Sequence, residues 1–221
     1  NNFFLLLKNI NNFGLNIFFK MVFFEIYYSI KFLNIKSLKY EQVKQDNYFK
    51  TKENKNYNTP YIPTPYFFLN EIDKFFEQKK IKNYLFVDLG CGYSRTRLFF
   101  AKNTYRFLGF DYNSKIISYL KRKNIKKSFF FNKNLRSQKS IKFLINKVYK
   151  LKKNRKIIIF FSDSFELNLL KKIIFQLKKK ITFYCVIVNL KNKNFLNKKN
   201  NYIYKKNFMN KNKNIFIFKI P

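Results

Sequence analysis

Hydrophobic and polar positions along the chain form blocks that predict strands and helices in turn. Short apolar runs predict buried strands, and apolar positions about three or four residues apart predict helices that pack one face on a sheet. The predicted strands are 84–87, 106–110, 128–131, 156–161, 181–188, 201–205 and 214–220. Helical patterns lie at 67–76, 96–102, 116–120, 141–151 and 167–177. This alternation predicts an α/β fold, doubly wound, with a mainly parallel sheet, helices on both faces and an antiparallel strand pair at the C-terminal end.

The chain before residue 57 is organised differently. Residues 3–33 are strongly apolar, with helical spacing at Phe3, Leu7, Ile10, Ile17, Met21, Phe24 and Tyr28. Lys8, Lys20 and Glu25 interrupt this segment, so no unbroken run reaches the roughly 18 to 20 residues that a bilayer span needs. Three interpretations stay open: a helix packed on the domain, a helix on a membrane surface, or a degraded membrane anchor.

The domain boundary is predicted from a change in composition. Residues 36–58 are polar and show little periodicity, which indicates a linker. We therefore predict an N-terminal helical extension and linker over 1–56 and a main domain over 57–221. Because the chain begins at Asn1, we expect either a fragment or a natural start at Met21.

The charge of the chain is strongly positive. Its 221 residues include 47 Lys and Arg against 11 Asp and Glu, a formal net charge of +36. Such a basic protein would favour RNA, ribosomal protein or an anionic membrane surface as partner. The excess is almost all Lys and accompanies abundant Asn, Ile, Phe and Tyr, which is typical of an AT-rich genome. The charge is therefore weak evidence for any one of these partners.

The chain has no His and only two Cys, and this excludes several chemistries. Without His there is no Ser-His hydrolysis and no His-ligated metal, and the distant Cys91 and Cys185 offer neither a disulfide framework nor a zinc site. We expect no metal. A reducing compartment follows by default, so we predict a cytoplasmic location, with membrane association as the alternative.

Candidate chemistry is concentrated where the first strand passes into a helix. The segment reads Asp88-Leu89-Gly90-Cys91-Gly92-Tyr93-Ser94-Arg95. Gly90 and Gly92 allow tight backbone conformations and leave space for a ligand against the main chain. Asp111 ends the second strand, where a carboxylate can accept hydrogen bonds from the hydroxyls of a ribose. Strand, acidic residue, glycine turn, helix, strand and second acidic residue together predict a nucleotide-like ligand.

At these residues the sequence resembles the class I S-adenosylmethionine-dependent methyltransferases, whose first motif commonly reads Asp-Leu-Gly-Cys-Gly-x-Gly-Arg. Ser94 stands in place of the third Gly. The resemblance implies a Rossmann-like seven-stranded sheet and S-adenosyl-L-methionine as cofactor. It implies that the first motif wraps the methionine moiety, that Asp111 holds the ribose and that Tyr112 lies beside the adenine. The cofactor-binding residues that it implies are Asp88, Leu89, Gly90, Cys91, Gly92, Asp111, Tyr112 and Ser162.

A proline-rich segment precedes the glycine motif. Tyr61-Ile62-Pro63-Thr64-Pro65 is similar to a Tyr-x-Pro-Thr element in a bacterial branch of these enzymes, and to a Pro-Tyr-x-Pro element of certain lysine methyltransferases. The similarity implies that Tyr61, Pro63 and Thr64 form a lid over the cofactor or touch the substrate. The alternative is a rigid turn that only leads into the next helix.

The fourth motif is Phe160-Phe161-Ser162-Asp163-Ser164-Phe165. The resemblance implies that Asp163 orients or deprotonates a nucleophile and that Phe165 forms a wall of its pocket. The Pro-Pro that follows the acidic or amide residue in enzymes methylating base amines is missing, which disfavours that reaction. Alternatively, Asp163 and Ser164 cap the helix that begins near Glu166.

The favoured function is transfer of a methyl group to an unidentified acceptor, with a protein side chain or a small molecule preferred. A nicotinamide-dependent oxidoreductase would need Gly-x-Gly-x-x-Gly, but Arg95 holds the sixth position. A non-catalytic basic protein that binds RNA or a membrane surface would explain the charge and leave the spacing of the motifs unexplained.

Overall fold

The computed structural model describes residues 14–33, 64–162, 166–189, 202–208 and 214–221. The helices are α1 (Leu15–Leu33), α2 (Tyr66–Gln78), α3 (Arg95–Phe99), α4 (Ser114–Arg122), α5 (Gln138–Lys152) and α6 (Leu167–Lys178), with a 3₁₀ turn at Ala101–Asn103. The strands are β1 (Tyr84–Leu89), β2 (Thr104–Asp111), β3 (Ser128–Asn132), β4 (Ile157–Phe161), β5 (Phe183–Val188), β6 (Tyr202–Asn207) and β7 (Asn214–Ile220). The predicted linker at 36–58 lies outside these residues.

The strands form one seven-stranded sheet in the order β3-β2-β1-β4-β5-β7-β6. Strands β1 to β5 are parallel to one another, whereas β7 is antiparallel to both β5 and β6. This confirms the predicted doubly wound sheet with its antiparallel C-terminal pair. The strand order reverses between β1 and β4, and in such sheets ligands bind at the carboxyl ends of the strands near this point.

Alternate residues of the central strands face two separate cores. Phe86 belongs to the core that lies under the helices α1, α2 and α4. Its ring stacks on that of Phe107, with the ring centroids 5.6 Å apart. Val87 belongs to the core under α5 and α6. Because the central strands are buried on both faces, they appear in the sequence as unbroken apolar runs.

Helix α3 is shorter than the predicted 96–102. It ends at Phe99, and a 3₁₀ turn follows before β2. The Phe100 ring is buried and stacks on Phe86 with centroids 5.1 Å apart, and the Thr104 hydroxyl donates to the Phe100 carbonyl at 2.6 Å. Burial of Phe100 therefore turns the chain away from the helix axis.

Helix α1 packs along the domain. Its inner face consists of Ile17, Met21, Phe24, Tyr28 and Phe32, which lie against the core under α2 and α4. The Tyr28 ring contacts the rings of Tyr66 and Phe99, at 5.2 and 4.9 Å between centroids. Among the interpretations of this segment, the structure thus shows a helix packed on the domain. No helix in the described part of the chain has the length and hydropathy to cross a membrane.

Candidate functional site

The glycine turn lies at the reversal of strand order. Strand β1 ends at Leu89, beside Phe110 of β2 on one side and Phe161 of β4 on the other. The turn therefore starts at the same edge of the sheet as Asp111 and Ser162, which follow those two positions. Leu89 itself is fully buried and Ser162 is half-buried.

The backbone of the turn explains its glycines. Gly90 and Gly92 have φ values of 81° and 48°, in the left-handed region that favours glycine. The N–H groups of Gly90 and Cys91 both donate to the Phe110 carbonyl, at 2.8 and 3.0 Å. These bonds hold the main chain of the turn against the end of β2.

The Asp111 carboxylate joins this turn to the next loop. Its Oδ2 accepts from Gly92 N–H at 2.9 Å, and its Oδ1 accepts from Asn113 N–H at 2.9 Å. Burial raises the pKa of Asp111, while hydrogen bonds from the backbone at Asn113, Gly92 and Tyr112 oppose that rise. A carboxylate offers about four acceptor positions, so these three backbone donors leave about one of them for a ligand hydroxyl.

Asp88 lies deeper than Asp111. Its side chain is 3% exposed, and its Oδ2 accepts from the Thr96 hydroxyl. Burial raises the pKa of Asp88 to about 7, with a further rise from the nearby charge of Asp111 and an opposing effect of the Thr96 bond. The contact with Thr96 ties β1 to the helix that follows the turn, so Asp88 acts on the shape of the turn.

Cys91 fills the space between the turn and β2. Its thiol is buried, and burial raises its pKa well above the usual value. A Cβ on Gly109 would lie 2.9 Å from Cys91 Sγ and 2.7 Å from Cδ1 of Phe130. Because real Cβ contacts are longer, only glycine at 109 leaves room for this thiol and ring.

Ser94 has an unusual backbone conformation. It lies at φ 65° and ψ 41°, in the left-handed region, at the position where the methyltransferase motif has its third Gly. The side chain is 1% exposed, and its hydroxyl has no hydrogen-bond partner among the described residues. The chain thus keeps the backbone shape of a glycine while it carries a buried polar side chain.

A polar cluster attaches α1 to the end of this turn. Arg95 Nη1 lies 2.8 and 3.0 Å from the two carboxylate oxygens of Glu25, and it also donates to the Thr64 carbonyl at 3.3 Å. Glu25 Oε1 accepts from Tyr66 N–H at 2.7 Å, and the Arg95 guanidinium lies over the Tyr66 ring at 4.3 Å. We call Glu25, Thr64, Tyr66 and Arg95 the clamp.

The remaining predicted residues fall into two groups. Tyr112 is 43% exposed next to Asp111, and its carbonyl accepts from Asn132 Nδ2 at 2.7 Å. Thr64 is half-buried in the clamp. The other predicted residues, Tyr61, Pro63, Asp163 and Phe165, lie outside the described residues. Within the described part of the chain, no cluster of acidic and Cys side chains could hold a metal ion.

Sequence reasoning missed several residues of the site. Thr96 lies eight residues after Asp88, and Asn113 lies two residues after Asp111. Of the two, only Asn113 is close enough in sequence to its acid to have been a signal. Glu25 interrupts an apolar segment, and it is the one acidic residue of α1. Gly109 lies inside a strand, where glycine is unfavourable unless another group approaches closely.

Comparisons with known proteins support the fold. No protein-family profile matches the chain, and no curated protein matches its sequence. A solved structure of a putative methyltransferase, yhhF from Escherichia coli, is similar with a TM-score of 0.52 and 14% identity, over 74% of this chain and 90% of that one. An RNA methyltransferase from Salinibacter ruber, in complex with S-adenosyl-L-homocysteine, has a TM-score of 0.49 and 12% identity, over 72% of this chain and 94% of that one. The chain therefore has the Rossmann-like fold of the class I S-adenosylmethionine-dependent methyltransferases.

Proposed function

We propose that the chain is a methyltransferase that uses S-adenosyl-L-methionine. The observation that carries the proposal is the Asp111 carboxylate, which two backbone N–H groups hold beside the glycine turn where the strand order reverses. Cofactor complexes of proteins with this fold, such as the one from Salinibacter ruber, agree with it.

The residues present suit an adenosyl ligand. The spare acceptor capacity of Asp111 suits a ribose hydroxyl, and Tyr112 offers an exposed ring next to it for the adenine. Gly90 and Gly92 leave the main chain of the turn open to the methionine moiety. When bound, the cofactor supplies a methyl group on a positively charged sulfur, and transfer of that group by in-line displacement gains most from proximity and orientation.

The acceptor side of the site follows from the sequence. We propose that Ser162 contacts the cofactor, that Asp163 orients the acceptor and that Phe165 forms a wall of its pocket, because they follow the strand β4 next to the turn. Tyr61, Pro63 and Thr64 are proposed as a lid, and the clamp supports this by fixing Thr64 to Arg95.

A protein side chain or a small molecule is the preferred acceptor. RNA is the alternative, because neighbours with this fold include RNA methyltransferases.

Calorimetric titration tests the proposal. We expect S-adenosylmethionine and S-adenosylhomocysteine to bind saturably to the full chain, and NADH not to bind. Asp111→Ala should weaken both by about 10-fold or more, since a hydrogen bond to a carboxylate contributes roughly 1.5 kcal/mol or more.

The matched control is Glu77→Ala, which removes an exposed carboxylate in the last turn of α2. It should bind both ligands as the unchanged chain does. Circular dichroism establishes that each variant is folded. Absence of adenosyl binding in the folded chain, or undiminished binding in Asp111→Ala, would refute the proposal.

A further inference from the structure

The outer face of α1 is apolar, and its side chains are exposed in the described part of the chain. It consists of seven large hydrophobic side chains, each between 39% and 63% exposed: Leu15, Phe19, Val22, Phe23, Ile26, Tyr27 and Ile30. We call these seven residues the outer face. A helix of this length is about 28 Å long, so the outer face is a continuous stripe rather than a few scattered side chains. Contiguous apolar surface of this kind marks an interaction site.

The orientation of this stripe is fixed by contacts on the other side of the helix. The inner face is buried against the domain, with Phe24 against Phe67 at 6.0 Å and Tyr28 against Tyr66 at 5.2 Å between ring centroids. The clamp adds an ion pair between Glu25 and Arg95. Since the inner face is already occupied, the helix can offer a partner only its outer face.

Charge distinguishes between the partners that could cover the outer face. Lys20 and Lys31 are exposed on the same helix, and the whole chain carries a net charge of +36. A second copy would bring the same large positive charge to the interface, which opposes association. A surface of anionic lipids complements this charge and accepts apolar side chains at the same time.

We propose that the outer face of α1 docks on an anionic phospholipid surface, with the helix lying in the plane of the membrane. Phe19, Phe23 and Ile30 enter the boundary between headgroups and acyl chains, and Tyr27 lies at headgroup level, as aromatic side chains do. Lys20 and Lys31 contact the lipid phosphates. The Glu25–Arg95 contact then brings the glycine turn to within about one to two helix diameters of the lipid surface.

Vesicle flotation with the full chain tests the proposal. Vesicles of phosphatidylcholine alone are compared with vesicles in which phosphatidylglycerol replaces part of it. We expect strong binding to the anionic vesicles and weak binding to the neutral ones. The triple variant Phe19→Gln, Phe23→Gln and Ile30→Gln should bind anionic vesicles more than about 100-fold more weakly, because it removes three inserted apolar side chains.

The matched control replaces three exposed aromatic residues elsewhere, with Phe129→Gln, Tyr149→Gln and Phe175→Gln. It should bind as the unchanged chain does, within about twofold, because neither charge nor α1 changes. Circular dichroism and melting curves of both triple variants establish that they are folded.

Three outcomes would overturn the proposal. Undiminished binding of the α1 triple variant to anionic vesicles would show that diffuse charge alone attracts the protein. Equal binding of the unchanged chain to both vesicle types would contradict the role of anionic lipid. Absence of vesicle binding, with a dimer in sedimentation velocity that the α1 variant loses, would assign the outer face to a second copy.

Discussion

Replacing Ser94 by glycine is predicted to stabilise the protein. Ser94 has φ 65°, and it lies two residues after Gly92, which also has a positive φ. The substitution relieves the backbone strain and removes a hydroxyl that is buried without a partner among the described residues. Both effects raise the free energy of unfolding, although glycine also increases the entropy of the unfolded chain.

The size of the effect follows from these three contributions. Relief of the left-handed conformation contributes about 1 kcal/mol. Removal of the unpaired buried hydroxyl contributes about 1 kcal/mol more. The greater freedom of glycine in the unfolded state subtracts roughly 0.7 kcal/mol. The net rise is about 1 kcal/mol, which corresponds to roughly 3 °C in Tm for a chain of this size.

Urea unfolding followed by circular dichroism measures this difference. The control is Ser118→Gly, the same change at an exposed position inside α4, where the backbone is right-handed and stability should fall by about 0.5 kcal/mol. Ser94→Ala keeps the strained backbone and removes only the hydroxyl, so its stability should lie between that of the unchanged chain and that of Ser94→Gly. A loss of stability in Ser94→Gly as large as in Ser118→Gly would refute the reasoning.

Two further predictions concern the other polar groups of the site. Because burial raises the pKa of Asp88 from its usual 3.8 to about 7, the folded protein keeps a proton that the unfolded chain releases, and stability should fall as pH rises from about 4 to about 7. Between pH 5 and pH 8 this group accounts for a fall of roughly 3 kcal/mol at most, which Asp88→Asn should remove in urea titrations at those two pH values, and identical pH dependence in both proteins would contradict the assignment. For the clamp, a double-mutant cycle of Glu25→Gln and Arg95→Gln should give a coupling energy of about 1 kcal/mol, since the pair is partly exposed. Strictly additive losses of stability would show that the two side chains do not interact in solution.

Local patterns were sufficient to predict the sheet and the edge at which the glycine turn and Asp111 lie. Strands such as Ile157–Phe161 are buried on both faces, so their apolar runs are visible without knowledge of their neighbours. The glycine turn and Asp111 could be located because backbone shape and strand ends impose residue types at fixed places.

Contacts between distant segments could not be predicted in this way. Glu25 meets Tyr66 and Arg95, which lie 41 and 70 residues away in the sequence, and no periodicity encodes such a pairing. The early end of α3 likewise depends on the burial of Phe100 against Phe86 of a different element. The conformation of Ser94 was missed because the sequence shows a change in side chain and does not show that the backbone keeps the shape of a glycine.

The two cysteines of the chain provide chemical probes of two different motions. Cys91 lies in the glycine turn and Cys185 in the core strand β5, and burial raises the pKa of both thiols. Since only an exposed thiolate reacts rapidly with alkylating agents, each thiol is labelled only when its own surroundings open. Alkylation of Cys91 therefore reports opening of the turn, whereas alkylation of Cys185 requires the sheet itself to separate. The ratio of the two labelling rates thus measures, without any engineered reporter, how independently the glycine turn moves from the sheet that supports it.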